Sequence, residues 1–240
     1  MNLKFATWNM AFWSHKAYLA DAWRYLLEKA DVDICLFQES RPPQELRSDP
    51  NLLWFEIGGT RDWGTGIHSK KYPIRHLPIQ SQYTGSLVVG EVKITDELEL
   101  TIISLYGLLE TVGTTSYAIT TLHRMLSDLT GVLNGHIGGK RKIILGGDLN
   151  ASLQCDIQYG GKAHQIFFER LEDFGLENCF GKSHDFVQTH RHPGSDTLWQ
   201  NDYFFISKVL SRNLRCCKVL DNEDVRRLSD HNPVVIELEV

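Results

Sequence analysis

The sequence contains no apolar run of about 18 residues, the length that would point to a membrane-spanning helix. Its opening stretch, MNLKFATWNM, lacks the apolar core and small-residue cleavage site of a secretory leader and reads as a strand that begins at once. Cysteine is sparse: Cys35, Cys155, Cys179, Cys216 and Cys217 are odd in number and scattered. A secreted disulfide framework uses even, dense sets. The expected setting is therefore a reducing, cytoplasmic one, with Cys35 as a small core residue. Positive charge is not in excess either, with 25 Lys and Arg against 30 Asp and Glu and a net charge of −5. That removes the global basic field of a nonspecific nucleic-acid binder, but it leaves room for a nuclease with a local basic rim. There is no internal repeat, low-complexity tract or long linker.

What remains is an ordinary globular balance: 240 residues, 42% hydrophobic and 23% charged. The length suits one domain over residues 1–240. Apolar patterning alternates strands and helices. LKFATWNM reads as a strand. KAYLADAWRYLLEKA reads as a helix with Ala20, Trp23, Leu27 and Ala30 on one face and Trp23 in its core. VDICLFQES, GTGIHSK, SLVVGEVKI and LELTIISLYG read as strands, followed by a helix over residues 116–134. RKIILGGDLN returns to a strand, residues 161–174 form a helix, and DYFFIS, LRCCKVL and PVVIELEV close the chain as strands. This predicts a sheet-rich α/β or α+β arrangement with helices packed outside.

Several apolar strands end on residues of chemical use: Asn9, Glu39, Tyr106, and Asp148 with Asn150. Positions i and i+2 of a strand share a face, so Asp148 and Asn150 are expected to point the same way. Alone, GGDLN reads equally well as a turn, because Gly, Asp and Asn are turn residues. Occurring together, such strand ends suggest a site assembled along one sheet edge. Glu39 is the leading metal ligand of the set, since Mg²⁺ takes carboxylates, waters and substrate oxygens. The last strand is preceded by Ser229-Asp230-His231, and Asp202 stands at the start of DYFFIS.

In this order and spacing, TWNM, QES, GGDLN, NDYFFIS and SDHNP resemble the endonuclease/exonuclease/phosphatase superfamily across residues 4–240. The resemblance implies a four-layer α/β sandwich, two packed mixed sheets with helices on both outer faces. It implies hydrolysis of phosphoesters with a divalent cation, Mg²⁺ or alternatively Mn²⁺, held by Glu39 with Asp230 and Asn9 nearby. It further implies that Asp148 orients or activates the attacking water and that Asn150 donates to the phosphoryl group. His231 would contact phosphate while Asp202 fixes its other nitrogen. Tyr106 matches a phosphate-binding tyrosine, although the GLLE that follows departs from the family pattern.

Other residues are read more plainly. His190 and His192, in QTHRHPGS, stand as substrate contacts at the rim, solvated loop histidines or a zinc pair, with Arg191 as a phosphate contact. His68 is structural. Trp63 and Trp199, in polar surroundings, could stack on a base or simply pack. Basic groups are few: Lys70 with Lys71, residues 140–142, and Arg226 with Arg227, of which the last pair adjoins the Asp230-His231 segment. The leading function is a metal-dependent phosphodiesterase acting on nucleic acid as an endonuclease or exonuclease. The alternatives are hydrolysis of a small or lipid-linked phosphoester, such as an inositol phosphate or a sphingomyelin-like head group, and an inactive binding scaffold.

Overall fold

Short apolar runs rich in β-branched and aromatic residues, bounded by Gly, Pro and Asp, form strands because such side chains pack well on a pleated surface. The computed structural model describes residues 1–112, 115–134, 141–181 and 185–240. Its strands are β1 (Asn2–Asn9), β2 (Ile34–Ser40), β3 (Leu52–Gly58), β4 (Arg61–Ser69), β5 (Ile74–His76), β6 (Leu87–Lys93), β7 (Glu99–Tyr106), β8 (Glu110–Val112), β9 (Thr115–Tyr117), β10 (Lys142–Asp148), β11 (Leu176–Asn178), β12 (Asp202–Ser207), β13 (Leu214–Val219) and β14 (Val234–Glu239). The helices are α1 (Phe12–His15), α2 (Leu19–Arg24), α3 (Ile119–Asp128), α4 (Thr130–Leu133), α5 (Leu153–Tyr159), α6 (Ala163–Asp173), α7 (Lys208–Ser211) and α8 (Glu223–Leu228).

Two six-stranded sheets form, ordered β13-β14-β1-β2-β4-β3 and β11-β12-β10-β7-β6-β5, with β8 and β9 as a separate pair. Both are mixed: β1 runs parallel to β2 and β10 parallel to β7, while the other pairings are antiparallel. Between the sheets lies one core, with Phe5, Leu36, Ile67 and Ile236 from the first facing Val92, Ile102, Ile144 and Phe204 from the second. Adjacent residues point the other way, as a two-residue period requires. Ala6, Trp8 and Phe37 meet Ala22, Trp23 and Leu26 on the outer face of the first sheet. Ile103, Leu105, Leu145 and Phe205 meet Leu122, Met125, Phe167 and Leu171 on the outer face of the second. Strands buried on both faces read as continuous apolar runs. The result is the expected four-layer sandwich.

Two helix expectations need correction. Residues 116–134 are not one helix, because Ser116 and Tyr117 belong to β9 and helix begins only at Ile119, breaking again between α3 and α4. Residues 16–30 are likewise divided, into a 3-10 turn at Lys16–Tyr18, α2, and a π turn at Tyr25–Lys29. Trp63 packs, the second of its two readings. It lies in β4 rather than a loop and is buried, so it cannot stack on a base. Trp23 and His68 are buried as read, in edge contact at 6.2 Å. Lys140 lies outside the described residues. No helix among the described residues is long and apolar enough to cross a membrane.

Candidate active site

Strand register brings the polar strand ends together. In the second sheet Asp148 pairs with Tyr106 on one side and Asp202 on the other, which sets three functional groups in a row. The two glycines before Asp148 make that row possible. A Cβ on Gly146 would sit 2.6 Å from the Phe204 ring, and one on Gly147 would collide with the Leu105 carbonyl oxygen. The glycines therefore admit neighbouring strands rather than a turn. In the first sheet Asn9 pairs with Gln38, next to Glu39. A bulge in β2 between Phe37 and Ser40 turns Glu39 out of the ladder.

Backbone strain marks the same place. Among the described residues the non-glycine positions with left-handed φ are Ala11 (50°), Glu39 (43°) and Asn150 (46°). Such conformations cost energy and cluster at functional sites. Two are held by local bonds: Asn9 Oδ1 accepts from the Ala11 N–H at 2.8 Å, and Asp148 Oδ1 accepts from the Asn150 N–H at 2.8 Å. Glu39 accepts from the Tyr106 hydroxyl at 2.8 Å.

A buried chain of bonds crosses between the sheets. Asn9 Nδ2 donates to Asp148 Oδ2 at 2.8 Å, although 139 residues separate them. His231 Nδ1 bonds Asp202 Oδ2 at 2.9 Å, and His231 Nε2 lies 3.9 Å from Asp148 Oδ2. Burial alone would lower the imidazole's affinity for a proton, but the Asp202 and Asp148 carboxylates outweigh it and raise the pKa to about 10. Nδ1 then donates to Asp202, and Nε2 also carries a proton, on the Asp148 side of the ring. Burial, reinforced by the Asp202 charge, pushes the Asp148 carboxyl up, against His231 and the two amide donors. Burial also pushes Glu39 up, opposed by His231 and Tyr106.

The segment carrying Asp230 and His231 is clamped from several sides. Ser229 Oγ donates to the Asn9 carbonyl at 2.7 Å and accepts from the His231 N–H at 2.9 Å, while the Trp8 indole donates to the His231 carbonyl at 3.2 Å. Arg191 donates to Asn232 Oδ1 and the Ser229 carbonyl, so its guanidinium locks this turn. The His190 ring stacks on the His231 ring at 4.3 Å and 16°, with its Nδ1 3.2 Å from Asn201 Nδ2. Burial and the neighbouring imidazolium push His190 down, which keeps it neutral. His190 is thus a packed partner of the site. His192 meets it only edge-on at 5.9 Å. Sequence reasoning missed Ser229, Trp8 and the stacking of His190, because each acts only through tertiary contact.

Two expected phosphate donors are engaged within the protein. The Tyr106 hydroxyl donates to Glu39, and Asn150 Nδ2 donates to the Gly107 carbonyl at 3.1 Å, leaving its second amide proton for another acceptor. Trp199 is half-buried, with its indole N–H donating to Ser195 at 3.2 Å. Arg226 pairs with Asp221 at 2.6 Å and Arg227 with Asp21 at 3.5 Å.

The donor set suits a hard divalent cation. Asp230 Oδ2 accepts from Ser14 at 3.0 Å, whereas Oδ1 is buried and has no hydrogen-bond partner among the described residues. The Asp230 charge also reaches Glu39 and opposes its ionisation, a conflict that a cation between them would relieve. Ligand-type atoms converge within 4.8 Å in two other groups, Asp148-Asp202-His231 and His190-Asp230-His231. A protonated His231 already bonded to Asp202 is a poor ligand in either group.

A sequence model of the Endonuclease/Exonuclease/phosphatase family matches residues 6–231. No curated protein sequence matches the chain. Among solved structures it is similar to an AP endonuclease from Leishmania major, at 16% identity over 100% of this chain and 88% of that one, with a TM-score of 0.75. It is similar also to a 3'-5' exonuclease from Neisseria meningitidis, at 18% identity over 99% of this chain and 100% of that one, with a TM-score of 0.72. An AP endonuclease from Archaeoglobus fulgidus aligns at 17% identity over 99% of this chain and 100% of that one, with a TM-score of 0.71. At these identities the likeness establishes the fold.

Proposed function

We infer the function from one premise: the chain belongs to the endonuclease/exonuclease/phosphatase family. On that premise it is a phosphoric ester hydrolase, and our reading is a phosphodiesterase of nucleic acid that works with a bound Mg²⁺ or Mn²⁺. One domain carries the whole site, and a reducing, cytoplasmic setting is part of this reading.

Hydrolysis of a phosphodiester requires water to attack in line with the leaving oxygen while negative charge spreads over the phosphoryl oxygens. Asp148, held by the Asn9 amide and the Asn150 N–H, orients the water and accepts its proton. Its burial-raised pKa makes it a stronger base than an exposed carboxylate. His231 donates from Nε2 to a phosphoryl oxygen, and Asp202 keeps that imidazole charged and oriented. The 3.9 Å between His231 Nε2 and Asp148 Oδ2 lets one oxygen atom lie within reach of both. Asn150 contributes its remaining amide proton. Glu39, Asp230 and Asn9 would hold the cation, and Tyr106 fixes the Glu39 carboxylate. When bound, the cation polarises the phosphoryl group and offsets its growing negative charge.

The observation that carries this reading is the buried series Asp202, His231, Asp148, Asn9, which sets an acid beside a base. The test is incubation with Mg²⁺ or Mn²⁺ against plasmid, single-stranded DNA, RNA, abasic duplex, inositol phosphates and choline lipids, with Glu39→Ala as the contamination control. Nucleic-acid cleavage that falls steeply with salt is expected, because backbone binding releases counterions. Cleavage confined to inositol phosphates or choline lipids would overturn the substrate class. No cleavage of any substrate with either metal would leave a binding scaffold.

A further inference from the structure

Trp13 alone among the chain's tryptophans is exposed, at 64%. It stands on α1, a helix too short to hold its own direction. The left-handed Ala11, bonded to the Asn9 side chain, starts that helix and aims it. Trp13 then rests on buried Trp63 in a T-shaped contact at 5.9 Å and 82°, and Trp63 meets Tyr106 in the same manner at 5.5 Å and 86°. Tyr106 bonds Glu39, so an aromatic ladder runs from the carboxylate we assign to the cation out to solvent. The next residue, Ser14, bonds Asp230 at 3.0 Å. Trp13 is therefore tied to both carboxylates of the proposed cation site, while most of its surface is left in water.

Cations accompany these rings. Lys16 lies 4.6 Å from the centre of the Phe12 ring, Arg61 lies 5.8 Å from that of Trp63, and Arg227 lies 5.9 Å from that of Tyr18. Phe12 and Trp63 are buried, so Trp13 offers the open face, with Lys16 and Arg61 nearby; an exposed ring beside cations suits an unpaired strand, base on the ring and phosphates on the cations. A lipid or inositol head group offers no flat ring to an indole. In a duplex the base faces are already stacked on one another, so an indole reaches one only where the strand is open.

We propose that Trp13 stacks on an unpaired nucleobase next to the scissile phosphate, with Lys16 and Arg61 meeting the flanking phosphates, so that the substrate is single-stranded or frayed at the cleavage point. The proposal rests on the nuclease reading above.

Two readouts test it: binding of a labelled single-stranded oligonucleotide in EDTA, and steady-state cleavage with Mg²⁺. Trp13→Ala should weaken binding and raise KM about 5- to 150-fold, the span of one lost base–aromatic stack, with kcat little changed. Trp13→Phe should keep most of the affinity. An oligomer of the same length built from abasic units should bind wild type and Trp13→Ala alike. Glu39→Ala should lose cleavage yet retain Trp13-dependent binding. If wild type cleaves oligonucleotides and Trp13→Ala leaves KM unchanged, the stacking role alone is overturned. An equal loss on the abasic oligomer overturns it too. If wild type neither binds nor cleaves any oligonucleotide, the stacking role and the nuclease reading fall together. Circular dichroism and a second non-aromatic variant, Trp13→Gln, separate lost stacking from misfolding.

Discussion

Asp202→Asn isolates the charge that fixes His231. The carboxylate oxygen and Nδ1 lie 2.9 Å apart, and both side chains are buried. At an effective dielectric constant of about 20, two unit charges at that distance attract by roughly 6 kcal/mol. Desolvation cancels part of this, and breaking a buried ion pair typically costs about 3–5 kcal/mol. The amide keeps the shape and can still accept from Nδ1, so the loss is electrostatic rather than steric. His231, raised from 6.5 to about 10 beside its carboxylates, should titrate clearly lower in the variant. The sign for stability follows. A folded pKa above the unfolded one stabilises the protein fully below pH 6.5, and that support fades as pH rises through about 10. Asp202→Asn should remove much of it at neutral pH. Because the imidazolium is also the proposed phosphoryl donor, kcat should fall by about 10²- to 10⁴-fold. The assay is NMR titration of ring-labelled histidine in EDTA, where only the chain's own charges act, with urea unfolding and turnover in parallel. An unchanged His231 titration, together with unchanged turnover, would refute the reasoning.

Two further perturbations probe the scaffold. Gly147→Ala places a Cβ against the Leu105 carbonyl in the β10–β7 ladder, and should destabilise by about 3 kcal/mol or more, read as a lower urea midpoint at unchanged slope. Asp156→Ala removes the carboxylate that accepts from the Gln165 N–H at 2.8 Å and from His164 Nδ1 at 2.8 Å near the start of α6, and should cost about 1 kcal/mol in thermal unfolding without changing turnover. Burial opposes ionisation of Asp156, but the His164 bond and the backbone donors win and hold its pKa below 3.8. Its contribution should therefore be present at neutral pH and vanish as the solution is acidified through that range.

The strand ends were legible because each is a local event: an apolar run stops on Asn9, Glu39, Tyr106 or Asp148. The two-residue period failed just there, because a bulge turns Glu39 out of the ladder and Asn150 lies beyond the end of β10 in a left-handed turn rather than on Asp148's strand face. Their meeting was not legible without the resemblance, since it depends on register. Asp148 faces Tyr106 and Asp202 because β7, β10 and β12 align at those residues, and a one-residue slip would reverse every side chain. That Trp63 lies in a strand was hidden for a related reason. Its neighbours Arg61, Asp62 and Gly64 look like a loop, yet Gly64 is glycine because the Phe55 and Glu56 backbone lies against it in the sheet. The helix expected from residue 116 began too early because Ser116 and Tyr117 form part of a short hairpin whose pairing is nonlocal to the apolar pattern of α3.

Net charge is a total of the same kind, blind to where each group sits. A total of −5 suggested little welcome for a polyanion, but totals ignore position. Lys16 follows α1, Arg61 begins β4 and Arg227 lies in α8, three segments far apart in sequence, each with a cation over an aromatic ring. Within the site the carboxylates are buried beside an imidazolium and an orphaned oxygen that suits a cation, so they add little repulsion once both positive partners are in place. Attraction for a phosphate backbone is decided within about a Debye length, roughly 8–10 Å at ordinary salt, and at that range the rim counts for more than the sum.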